Sequence, residues 1–128
     1  QSTSGACSIA QKAACEAIAG AQSENDAMVA AFRKRHDYVV EALNALPGVT
    51  CLPGQGAFYS FPDVSAAMAA LGIDDDVAFS EHLLEKAGVA VVPGSAFGAP
   101  GHVRLSYATS LDALREAIGR IESVLPTA

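Results

Sequence analysis

The sequence predicts an α+β domain, with short strands in its second half and helices packed on one face of the sheet they form. Three observations carry this reading. Leu111, Leu114, Ile118, Ile121 and Leu125 recur at helical spacing behind Ser110, a good N-cap. Val103, Leu105 and Tyr107 alternate with Arg104, Ser106 and Ala108, the period of a strand with one buried face. Turn formers crowd residues 47–62 and 93–101 and cut the chain into short elements.

The elements follow in order. A first helix is expected over Ser8–Ala19; it is rich in alanine and stops at Gly20. A long helix is expected over 24–46, with Ser23 as cap and with Glu24 and Asp26 at the positive end of its dipole. Met28, Phe32, Val39, Leu43 and Leu46 form its apolar stripe, which Arg35 and His36 interrupt. A helix apolar at both ends and polar in the middle suits a bridge between two bodies. Pro47-Gly48 ends it. A third helix is expected over 76–87, closed by Gly88 in a left-handed conformation. The last runs from Leu111, with Gly119 off its apolar stripe. Strands are expected over 49–52, 57–61, 89–92 and 102–108.

Composition excludes several classes. Of the 128 residues, 51% are apolar and 26 are alanine, which excludes disorder by low hydrophobicity. No uncharged apolar window reaches membrane-spanning length, and the first residues lack the pattern of a signal peptide. The net charge of −6 argues against nucleic acid. The one basic run, Arg33-Lys34-Arg35-His36, reads as a solvated helix face. Cys7, Cys15 and Cys51 form no CxxC, and His36, His82 and His102 are scattered, so neither a disulfide framework nor a metal site is read. Free thiols suit the cytoplasm. Asp74-Asp75-Asp76 reads as cap and dipole partners rather than a chelating cluster. The chain starts with Gln rather than Met, which leads us to expect a piece of a longer protein.

Chemistry-bearing motifs are few. There is no P-loop, no HExxH and no GxSxG, and Gly54-Gln55-Gly56 lacks the rest of a dinucleotide fingerprint. Arg104 remains. An arginine among apolar neighbours on a strand must find an anion or reach solvent. Its planar fork fits a carboxylate with two parallel bonds. The small-residue segment Pro93-Gly94-Ser95-Ala96-Phe97-Gly98 lets a ligand or another backbone come close. Two readings of Arg104 stay open on these grounds: an internal Asp or Glu partner, or an external carboxylate.

Three segments carry a family resemblance. Val91-Val92-Pro93-Gly94-Ser95-Ala96-Phe97-Gly98, followed by Gly101-His102-Val103-Arg104-Leu105-Ser106-Tyr107-Ala108, resembles the C-terminal signature of class I aminotransferases. These are fold-type I enzymes dependent on pyridoxal 5'-phosphate. Gly56-Ala57-Phe58-Tyr59-Ser60-Phe61-Pro62-Asp63 resembles a second signature of the family. Gln1-Ser2-Thr3-Ser4, with Ser8-Ile9-Ala10-Gln11 and Ala13-Ala14, resembles the stretch after the cofactor lysine in bacterial aspartate aminotransferases.

The resemblance implies an architecture. Residues 1–23 would be the tail end of the large cofactor domain, 24–46 the inter-domain linker helix and 47–128 the C-terminal small domain. It implies roles as well. Arg104 matches the arginine that grips the substrate α-carboxylate. Phe58 matches an aromatic on the substrate side of the cleft, with plain core as its other reading. Ser4 falls near a loop that reaches the neighbouring subunit's active site in family homodimers; Gly5-Ala6 follow it where many members have Asn-Pro. The parent reaction would move an amino group from an amino acid, aspartate first, to a 2-oxo acid. Lys12, Lys34 and Lys86 lack the context of the cofactor lysine. The chain alone is therefore expected to hold no catalytic residue and no bound cofactor. Two alternatives keep the same features: a fold-type I lyase or synthase, and the aminotransferase-like ligand sensor of a transcription regulator.

Overall fold

The central strand of the sheet is a four-residue segment whose side chains divide cleanly between core and surface. A computed structural model describes residues 4–126. Its elements are α1 (Ser8–Ala19), α2 (Ser23–Asn44), β1 (Tyr59–Ser60), α3 (Ser65–Leu71), α4 (Asp76–His82), β2 (Val92–Pro93), β3 (Val103–Ser106) and α5 (Leu111–Glu122). A π-helical turn, Leu83–Ala87, prolongs α4, and a 3-10 turn, Gly94–Phe97, follows β2. The sheet order is β1-β3-β2, antiparallel throughout. Tyr59 pairs with Ser106 and Val92 with Arg104. Val103, Leu105 and Tyr107 are buried, while Arg104 is half-buried and Ser106 exposed. The alternation therefore holds.

The chain divides into two compact units, one ending at Ala31 and one starting at Phe32. In the first unit α1 buries none of its residues, and Ile9 and Ile18 are exposed. Gly20 closes α1 by donating its N–H to the Glu16 carbonyl. Ser23 is the first helical residue of α2 rather than its cap. Gln1, Ser2, Thr3 and the side chain of Glu24 lie outside the described residues.

In the second unit the inner face of β3 shares one apolar core with α2 (Val39, Leu43), α4 (Phe79) and α5 (Leu114, Ile118, Ile121). At about 25 cal/mol per Å², burying each of these larger side chains stabilises the fold by roughly 1.5–3 kcal/mol. Ser110 caps α5, accepting from the Ala113 N–H at 3.2 Å, and Asp75 caps α4, accepting from Ala78 at 2.7 Å. Gly88 adopts the left-handed conformation expected of it, with φ 65°.

The stripe expected for α2 is buried at Val39, Leu43 and Leu46, while Met28 is 55% exposed. Three expectations need correction. The polar midpoint of α2 is not a wholly solvated face. Arg35 lies 5.2 Å over the Phe32 ring, and His36 packs edge-on against Tyr107. The strands are shorter than expected. Ala57 has φ 66° and Pro62 has no N–H, so β1 shrinks to two residues. The Val89 N–H bonds back to Leu83 in the π turn, so pairing starts only at Val92. Residues 49–52 make one bridge, Thr50 to Asp63, and the Asn44 side chain does the rest. Its amide donates to the Cys51 carbonyl at 2.8 Å and accepts from the Cys51 N–H at 2.9 Å. Finally, α3 was not expected. Val64 at its N-cap makes no side-chain bond; Asp63 accepts from the Ser65 N–H at 2.8 Å instead.

That bond, with help from the Ser65 hydroxyl, holds the Asp63 carboxyl below the usual carboxylate range. A depressed folded-state value stabilises above the ordinary carboxylate pKa of about 4 and is lost as pH falls through the folded value. Asp63→Ala is expected to lower stability by about 1 kcal/mol at pH 7, as loss of an N-terminal helix acceptor does. Urea unfolding measured from pH 7 downwards should show the gap closing in acid; a gap independent of pH would contradict the assignment.

Candidate functional site

Arg104 sits at the middle of the sheet, on the face opposite the core. Its guanidinium carbon lies 4.8 Å from the Phe97 ring centroid and 5.6 Å from that of Tyr59. Each such contact is worth roughly 0.5–1 kcal/mol at a part-exposed site. Phe97 also meets Phe61 edge-on at 6.1 Å, and Phe61 stacks on His102 at 5.3 Å. Aromatic faces therefore flank the cation, and none of them accepts its N–H donors in the plane of the fork. Among the described residues the ion pairs are Arg115–Asp112 and Arg120–Glu116, and the Asp37 carboxylate meets His36 Nδ1 at 2.9 Å; none of these involves Arg104. The internal carboxylate partner left open by the sequence is not present among the described residues.

The 3-10 turn that presents Phe97 is built without slack. The Gly94 N–H donates to the His102 carbonyl at 2.7 Å, and the Ala99 N–H donates to the Gly94 carbonyl at 3.0 Å. A Cβ on Gly94 would lie 2.7 Å from the His102 carbonyl oxygen and closer still to that of Ala99. Gly98 reverses the chain with φ 76°. The Ser95 N–H donates to the Asp76 carboxylate at 2.6 Å, and Asp76 is 3% exposed. Asp75 thus caps its own helix while Asp76 reaches across to the turn. The expected cap is Asp75, and Asp76 is the acidic residue of the first turn as expected, with the added bond to Ser95.

Phe58 stands just before β1, 51% exposed and edge-on to Tyr59 at 5.8 Å. It is therefore no part of this chain's own core. Tyr59, not Phe58, touches Arg104. The pairing of Tyr59 with Ser106 is the signal that could have found it, since that register puts Tyr59 on the outward face. Asp76 had no local signal, because its partner is nineteen residues away. Ser4 is an exposed residue of the first unit. Lys12, Lys34 and Lys86 are all exposed on helical segments. Burial pushes the Tyr107 phenol up, with the neighbouring Tyr59 adding to it, so its hydroxyl remains a donor to the Ala57 carbonyl at 3.1 Å. Burial likewise pushes the Cys51 thiol up, whereas backbone N–H groups at the start of α1 lower that of Cys7. Among the described residues no group of three His, Cys, Asp or Glu could hold a metal, and no helix is long and apolar enough to cross a membrane.

Gly94→Ala is expected to destabilise the protein by about 2 kcal/mol, the magnitude of overpacking against atoms that cannot yield. Thermal unfolding should show it, and an unchanged midpoint would mean that the turn is looser than its contacts imply.

Comparison with known proteins gives a consistent result. The family model described as "Aminotransferase class I and II" matches residues 1–121. An aspartate/prephenate aminotransferase of Nitrosomonas europaea is 50% identical over 98% of this chain and 33% of its own length. An aspartate aminotransferase of Geobacillus stearothermophilus is 51% identical over 94% of this chain and 30% of its own length. The crystal structure of the aspartate aminotransferase from Rhizobium meliloti superposes with a TM-score of 0.87 at 40% identity, covering 98% of this chain and 34% of that one. The chain spans about a third of the length of the curated relatives it matches.

Proposed function

Because the chain belongs to the class I and II aminotransferases, we propose that it is the C-terminal part of an enzyme that moves an amino group from aspartate, or a similar amino acid, to a 2-oxo acid. Its own contribution is to bind the substrate α-carboxylate through Arg104. One observation carries this reading: a half-buried arginine held between two aromatic rings, without an ion pair among the described residues. Such a group is oriented but unspent. A carboxylate that takes its fork makes charge-assisted bonds worth roughly 1.5–3 kcal/mol each. Fixing the carboxylate also fixes the Cα substituents relative to the rest of the active site, which is how positioning lowers a barrier.

Family members depend on pyridoxal 5'-phosphate, which acts as the electron sink in their chemistry. The residues here do not fit covalent attachment of that group. The chain's three lysines, Lys12, Lys34 and Lys86, stand exposed on helical surfaces rather than in an enclosed site that would hold the group. We assign the attachment to the part of the relatives that this chain does not match, and derive no step through the cofactor. In this reading residues 1–23 complete the large domain, 24–46 link the two bodies and 47–128 form the small domain. Phe58 lines the substrate side, Ser4 lies toward the other subunit of a homodimer, and the enzyme works in the cytoplasm. The names of the two bacterial relatives support aspartate as the amino donor.

Arg104→Ala in the full-length protein is expected to lower kcat/KM for aspartate about a thousandfold, in line with truncating one partner of a desolvated charge pair. Cofactor absorbance should persist. Arg104→Lys keeps the charge but loses the fork, and should fall between. Unchanged turnover in Arg104→Ala would overturn the assignment. The 128-residue chain alone, mixed with pyridoxal 5'-phosphate and dialysed, is expected to retain no visible absorbance; a stable band would refute the attachment argument.

A further inference from the structure

The loop that leads into β1 has few backbone partners of its own. Residues 52–58 are exposed, and Ala57 holds a left-handed conformation with φ 66° that a non-glycine residue adopts only when its surroundings enforce it. Side chains from elsewhere in the second unit supply that enforcement at two points. The Tyr107 hydroxyl donates to the Ala57 carbonyl at 3.1 Å. His36, on α2, takes the other point: the Gly54 N–H lies 3.0 Å from its Nε2.

That contact fixes the state of the imidazole. A backbone N–H can only donate, so Nε2 must present its lone pair. A neutral ring with bare Nε2 carries its proton on Nδ1, and Nδ1 lies 2.9 Å from the Asp37 carboxylate, which can only accept. Both ring nitrogens are thus used, each in the one role its neighbour allows. The ring is further held edge-on to Tyr107 at 5.9 Å, and Tyr107 is the residue that ties Ala57. The Tyr107 N–H also donates to the Phe58 carbonyl at 2.8 Å.

We propose that His36, in its Nδ1–H tautomer, is a positioning residue for the carboxylate site. It latches Gly54, and with Tyr107 holds the loop so that Tyr59 stays against Arg104. The chain of contacts is continuous: Asp37 orients His36, His36 holds Gly54, the loop delivers Tyr59, and Tyr59 flanks the guanidinium at 5.6 Å. The link to catalysis rests on the reading of Arg104 given above; the latch itself does not.

Two variants of the full-length holoprotein test it. His36→Phe keeps a ring against Tyr107 but offers no acceptor. His36→Gln can present its Oε1 at similar reach. In His36→Phe, hydrogen exchange in the peptide covering 52–58 should quicken roughly tenfold, as expected when a local opening loses one hydrogen bond. KM for the amino acid should rise roughly tenfold with kcat changed less than threefold, the pattern of weakened ground-state and transition-state binding alike. His36→Gln should recover most of both effects. Unchanged exchange in His36→Phe overturns the latch whatever the kinetics do. Faster exchange with unchanged KM overturns the positioning role. Failure of Arg104→Ala to affect turnover would sink the carboxylate reading, while the exchange measurement still decides the latch.

Discussion

The hydrogen bond from the Ser95 N–H to the buried Asp76 carboxylate ties the start of α4 to the turn that carries Phe97. Removing a carboxylate from water is expensive unless its oxygens find donors, so this side chain is committed to the turn once the core has formed. The core sets its position: Phe79, one helical turn on, is almost fully buried against the inner face of the sheet. The turn in turn rests on β3 through the Gly94 N–H and the His102 carbonyl. Packing on one face of β3 thereby fixes an aromatic ring over the cation on the other face. The site is the outer consequence of an inner constraint.

This dependence explains which parts of the architecture could be read from residues alone. α5 was legible because its apolar positions contrast with charged neighbours at every step, and all its buried residues fall on that stripe. β3 was legible because alternation over six residues leaves only one face for Arg104. α3 was not, for a reason specific to this composition. Its segment, Ser-Ala-Ala-Met-Ala-Ala-Leu, is apolar all round, so no period stands out, and its acceptor Asp63 lies before a Val that makes no cap. The strand ends were also hidden. Whether Val89 pairs with a strand or bonds back to a helix depends on the π turn at Leu83–Ala87, which spacing does not reveal.

Polar residues were harder still. Asp76 read as a cap or dipole partner and His36 as part of a solvated face because each sits in a charged run, Asp74-Asp75-Asp76 in one case and Arg33-Lys34-Arg35-His36 in the other. Within each run the members behave differently. Asp75 faces its own helix end, while Asp76 faces the Ser95 N–H. Arg33 and Lys34 are exposed, while Arg35 and His36 lie half-buried against Phe32 and Tyr107. A helix turns 100° per residue, so consecutive charges cannot share an environment. A charged run on a helix is therefore a set of separate positions, and the one that turns inward has to be found from its partner.

The choice of neighbours for Arg104 follows the same economy of donors and acceptors. A carboxylate beside it would have taken the fork, and an incoming anion would then have to displace a bond already made. Phe97 and Tyr59 attract the cation through their ring faces yet leave its N–H groups for another acceptor. Two aromatic contacts stabilise the guanidinium by about 1–2 kcal/mol together, less than a desolvated carboxylate pair would give. In the proposed role, the difference is what a bound carboxylate can gain. An arginine that must recognise an anion from outside is better served by neighbours that hold its direction without satisfying its donors. The same logic extends to the loop that delivers Tyr59. It needs a tether, and the groups that hold it, the His36 lone pair and the Tyr107 hydroxyl, do so without bringing a second anion beside the cation.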